Sequence, residues 1–78
     1  MNKSLDYYMG LPYRMLVTLG NEGIYTLCFP DLPGCITVGK SPAEVIENAK
    51  DAKENWFMAC IEDGIAIPEP STDYVYSA

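Results

Sequence analysis

The run Ser41-Pro42-Ala43-Glu44 marks the start of a helix. Ser41 offers a side-chain oxygen to the unpaired N–H groups of the first turn. Pro42 suits the first helical position, and Glu44, three residues after Ser41, completes a capping box. Gly64 is placed to stop the same helix. The spacing predicts a helix from about Pro42 to Asp63, roughly 33 Å long at 1.5 Å per residue. A chain of 78 residues has room for one domain and one small core. The rest of the sequence must therefore supply the layer on which this helix lies.

That layer reads as a sheet. Tyr13 to Leu19 alternates, with Tyr13, Met15, Val17 and Leu19 on one side and Arg14, Leu16 and Thr18 on the other. A period of two over this length predicts a half-buried strand. Gly20-Asn21-Glu22-Gly23 is a hairpin-type turn. Ile24 to Phe29 is a second strand, with Tyr25, Leu27 and Phe29 on one face. The loop Phe29-Pro30-Asp31-Leu32-Pro33-Gly34-Cys35 is fixed in direction by two prolines and a glycine, and a third short strand follows at about Cys35 to Val38. After Gly64, Pro68-Glu69-Pro70 holds an extended connection, and Asp73 to Tyr76 suits a last short strand. The expected fold is α+β. It is a three-stranded antiparallel meander, one long helix and a short return strand, in the order β-β-β-α-β. It forms a single domain over residues 1–78. Residues 1–12 are a lead-in whose Leu5, Tyr7, Tyr8, Met9 and Leu11 are too apolar for a free tail and are expected to pack on the domain or on a neighbour.

The helix has three faces to explain. Its principal apolar stripe is Val45, Ala49, Ala52, Trp56, Ala59 and Cys60, at helical spacing. Phe57, Met58 and Ile61 lie off that stripe, so the last two turns are apolar most of the way round. Either the tail covers them or another subunit does, and self-association is assigned to them. The third face is the acidic edge Glu44, Glu47, Asp51 and Glu54, flanked by Lys50 and Lys53. It reads as a solvated face or as a docking edge for a cationic partner.

Composition narrows the chemistry. The chain has no histidine, so Ser-His-Asp and Cys-His nucleophile systems cannot be built. The three cysteines, Cys28, Cys35 and Cys60, have no CxxC spacing, which argues against a disulfide scaffold and against zinc. No phosphate-binding glycine loop occurs. Carboxylates holding a divalent metal remain, with Asp31, Glu54, Asp63 and Asp73 as candidates. A nuclease of ribonuclease H type, however, needs an acidic residue on its first strand, and Tyr13 to Leu19 carries none. No catalytic residue and no cofactor or metal are therefore expected. Eleven acidic residues against 5 basic give a net charge of −6, which disfavours direct nucleic-acid binding and favours a basic partner protein. No run approaches the ~20 apolar residues of a membrane span and no signal peptide is evident, so a cytoplasmic protein is expected. A core this small gains from oligomerisation, as a dimer or tetramer.

Gly23-Ile24-Tyr25, the loop Phe29-Pro30-Asp31-Leu32-Pro33-Gly34-Cys35 and Thr37 together resemble the signature of the HicB family of antitoxins. Ser41-Pro42-Ala43-Glu44, Ala49, Ala52, Trp56, Glu62-Asp63-Gly64 and Ile67-Pro68-Glu69-Pro70 fit the same family. The resemblance covers roughly Tyr13 to Pro70. It implies a partial ribonuclease H fold that lacks the nuclease residues, in agreement with the first strand. It also implies a HicA-type toxin as partner, a small basic mRNA-cleaving ribonuclease with a catalytic histidine, whose active site the antitoxin masks. Many family members continue into a DNA-binding domain. No basic recognition helix follows Pro68-Glu69-Pro70 here, so operator binding by this chain alone is not expected. Asp31 either faces the toxin or bonds the N–H groups of its own turn. Glu47, Asp51 and Glu54 are the other partner-facing candidates. The open face of the sheet around Arg14, Thr18 and Thr26, or an unpaired strand edge, is an equal alternative. A second reading is a stand-alone oligomerising regulatory domain with no toxin.

Overall fold

The computed structural model describes residues 4–70. A short helix α1 (Leu5–Met9) leads into three strands, β1 (Leu16–Leu19), β2 (Tyr25–Cys28) and β3 (Ile36–Gly39), and then α2 (Pro42–Asp63). The strands form an antiparallel sheet in the order β1-β2-β3. Val17 lies opposite Leu27, and Leu27 opposite Thr37. The expected meander and long helix are therefore present. The return strand expected at Asp73 to Tyr76 lies outside the described residues.

The ends of α2 follow from their local chemistry. Ser41 accepts from the Glu44 N–H at 3.1 Å. The Glu44 carboxylate reaches back to the Lys40 N–H, one residue before the cap. At the other end Gly64 adopts φ 68°, which only glycine enters without strain. The Gly64 N–H reaches the Ile61 carbonyl at 3.3 Å and the Ile65 N–H reaches that of Cys60 at 2.8 Å. This paired arrangement satisfies the last carbonyls of the helix.

α2 lies across β3 and β2. The helix comes so close at its start that a Cβ on Gly39 would sit 2.6 Å from the Val45 backbone nitrogen. Leu27, Leu32, Val45 and Phe57 are the largest fully buried side chains. Each contributes roughly 1.5–3 kcal/mol by leaving water.

Expectations about burial need correcting on two elements, α2 and β1. Phe57, assigned to self-association, belongs to the core of the monomer. Its ring packs 5.6 Å from that of Tyr8 and 5.4 Å from that of Tyr13. The lead-in forms α1 and covers this side of α2, which widens the buried stripe beyond the sheet-facing residues. Leu5, Tyr8, Met9 and Leu11 pack on the core as expected, whereas Tyr7, expected with them, is exposed, its ring set edge-on to that of Tyr8. Ala59, placed on the stripe, is exposed, while Ala52 and Trp56 are half-buried. The second correction concerns β1. The alternation holds, because Val17 and Leu19 share a face with Leu27 and Tyr25. Yet every residue of β1 is exposed. Among the described residues α2 does not lie over β1, so the face expected to be half-buried is more open than the alternation implies.

Candidate partner-binding surfaces

The loop between β2 and β3 is built inward. The Phe29 N–H donates to the Cys35 carbonyl at 3.2 Å, Leu32 to Phe29 at 2.9 Å and Cys35 to Leu32 at 3.0 Å. Phe29, Leu32 and Cys35 are buried. From α2, the Trp56 indole N–H donates to the Pro33 carbonyl at 3.0 Å, and the Lys53 ammonium lies 5.6 Å from the centre of the Phe29 ring. The two prolines and Gly34 thus aim three core side chains under the helix. Burial pushes the Cys35 thiol up, against a lowering by Lys53. Burial also raises Cys60, helped by Asp63. Both stay protonated thiols near neutral pH and act as small apolar residues.

Asp31, the one ionised group of that loop, turns toward β1. Its carboxylate meets the Arg14 guanidinium at 3.1 Å and is only 13% exposed. Glu47, Asp51 and Glu54 occupy a different surface, the solvent side of α2, where all three are exposed. Glu47 lies 3.9 Å from Lys50 with both side chains largely in water, so this pair adds little stability. The four acidic candidates therefore divide into a braced loop carboxylate and a row of three along one helix. Met58 and Ile61 remain exposed near the end of α2. Ile61 joins Tyr8, Cys60, Ile65 and Ile67 around a shallow cleft of about 220 Å³. Among the described residues no three of Asp, Glu and Cys converge as a metal site.

The end of the described chain is strapped to its beginning. The Tyr13 hydroxyl donates to the Pro68 carbonyl, and the Tyr7 hydroxyl lies 3.2 Å from both Glu69 carboxylate oxygens. Burial first, and the Glu69 charge second, push the Tyr13 phenol up to about 12.

The open face of the sheet, read from the sequence through Arg14, Thr18 and Thr26, is more apolar than those residues suggest. Leu16, Cys28 and Ile36 form one row across the sheet, and Thr18, Thr26 and Val38 the next. Both rows face away from Leu27 and hence away from α2. Leu16, Ile36 and Val38 are exposed there. The signal was available in the apolar run Leu16-Val17, which leaves the first strand without a consistently polar side.

Comparison with known proteins matches residues 13–77 to the profile of the HicB-like antitoxin of bacterial toxin-antitoxin systems. Antitoxin HicB of Escherichia coli K12 is 41% identical over 59 residues, which cover 76% of this chain and 43% of that protein. Its counterpart in Escherichia coli O157:H7 gives the same values. The chain thus spans less than half the length of these two relatives. The UPF0150 protein Ta0767 of Thermoplasma acidophilum is 28% identical over 65 residues, covering 83% of this chain and 94% of that protein. The matched segment takes in the whole sheet, the inward-built loop and α2, and on that ground the chain belongs to the HicB-like antitoxin family.

Proposed function

We propose that this chain is the antitoxin of a type II toxin-antitoxin pair. It binds a small basic HicA-type ribonuclease and masks its active site sterically, without turnover and without a cofactor. The observation that carries this reading is the family match over residues 13–77. The exposed row Glu47, Asp51 and Glu54 on α2 supports it, as an acidic surface that a cationic toxin complements in charge. Asp31, held by Arg14, braces the loop in this reading and contributes indirectly. Among the described residues no helix is long and apolar enough to cross a membrane, and we place the pair in the cytoplasm with the messenger RNA it controls.

The test is to mix the purified chain with a small basic HicA-type ribonuclease and follow RNA cleavage. Nanomolar binding and full suppression at one equivalent are expected. The triple change Glu47→Lys, Asp51→Lys, Glu54→Lys should weaken binding at least tenfold, mostly through slower association at low salt. Undiminished cleavage with the antitoxin in excess would rule out masking. Undiminished affinity of the triple variant would move the interface elsewhere. A stand-alone oligomerising regulatory domain is the second reading. The observation that favours it is the alignment with Ta0767, which runs over 94% of that protein's length.

A further inference from the structure

We infer that the open face of the sheet is where two copies of this chain meet, face to face, with Cys28 near the centre of the contact. The argument starts from how the face is made. The register places Leu16, Cys28 and Ile36 in one row and Thr18, Thr26 and Val38 in the next. Leu16 is 57% exposed, Ile36 59% and Val38 53%. An ordinary one-sided sheet would put polar residues on its solvent side, whereas here both rows end on β3 in a β-branched aliphatic side chain.

Charge selects the occupant. The chain carries a net charge of −6, and two copies repel each other through most of their surface. None of these six residues is Asp, Glu, Lys or Arg. Arg14 is engaged by Asp31 at 3.1 Å, and the charges that border Val38, Lys40 and Glu44, are of opposite sign. A neutral face offers a basic toxin nothing to recognise, and the acidic row on α2 offers it a better site. A second copy brings an identical uncharged face, and the symmetry of a two-fold contact makes apolar rows meet apolar rows. Two such sheets pack about 10 Å apart, as in a sandwich. The pairing removes on the order of 1,000 Å² in total, which lies at the lower bound of specific interfaces and fits a reversible, concentration-dependent dimer.

The proposal stands apart from the toxin reading and is tested without a toxin. Sedimentation of the full chain is followed as concentration rises from about 1 to several hundred micromolar, a span chosen for an interface of this size. A monomer–dimer equilibrium is expected. Ile36→Lys should shift it at least tenfold toward monomer, while Met58→Lys, on the end of α2, should leave it unchanged. In the unsubstituted chain, Cys28 should react more slowly with a thiol reagent as concentration rises, since Cys35 and Cys60 are buried already. A chain that stays monomeric throughout overturns the proposal. So does an equilibrium broken by Met58→Lys and untouched by Ile36→Lys, or a Cys28 reactivity that does not change with concentration.

Discussion

β1 and β3 both pair with β2, both are four residues long and both carry aliphatic side chains. Their situations are nonetheless opposite. β3 is pressed under α2, with Gly39 against the backbone of Val45. The Asn48 side chain of the same helix also donates to the Val38 carbonyl at 2.9 Å. Among the described residues no helix lies over β1, which is exposed along its length. A strand is covered by what the following chain does, and its own alternation does not decide that. In this domain only Lys40 and the capping Ser41 separate β3 from α2, so the helix lies over the strand it has just left. The strand farthest from that turn is left out.

Three substitutions probe this asymmetry, taken from the largest expected effect to the smallest. Phe57→Ala removes the ring that joins α1, Tyr13 and α2, and should cost about 3–5 kcal/mol in a denaturant titration. A loss below 1 kcal/mol, an estimate typical of surface sites, would mean that α1 does not seal the helix as described. Gly39→Ala forces β3 and the start of α2 apart, and about 1–3 kcal/mol should be lost by overpacking. Unchanged stability would show that the helix start can retreat, and the close approach would then not be what clamps β3. Val17→Ala on β1 should alter monomer stability by no more than about 0.5 kcal/mol, as at other exposed sites. A loss several times larger would reveal a cover over β1 and remove the contrast between the two strands.

Much of this domain was legible from the sequence because the relevant signals are local. Ser41, Pro42 and Gly64 bound α2 where the caps require, and the alternation from Tyr13 to Leu19 gives the observed facing of β1. The misreadings concern what covers what. Phe57 was assigned to the surface because no periodic signal marks α1, a helix of 5 residues, whose position is set by tertiary packing against the ring itself. Ala59 was placed in the core because helical spacing defines a stripe but not its width or its far edge. The acidic row Glu47, Asp51 and Glu54 was correctly read as one exposed edge. Asp31 was grouped with it as a partner-facing candidate, while its ion pair with Arg14 spans 17 positions in sequence and no local pattern announces it. The inward character of the Phe29-to-Cys35 loop was likewise hidden. A motif that looks like a recognition loop is, in three dimensions, the part of the chain that closes the core beneath Trp56.

The strap from Tyr13 and Tyr7 to Pro68 and Glu69 has an architectural consequence. The last described residues are held beside the point where the chain enters the sheet, the arrangement common at domain boundaries. Cargo joined at either boundary would be launched from one corner, like two cables leaving a single socket. Neighbouring modules could then be exchanged or lengthened while the acidic side of α2 and the open side of the sheet keep their fixed angle to each other.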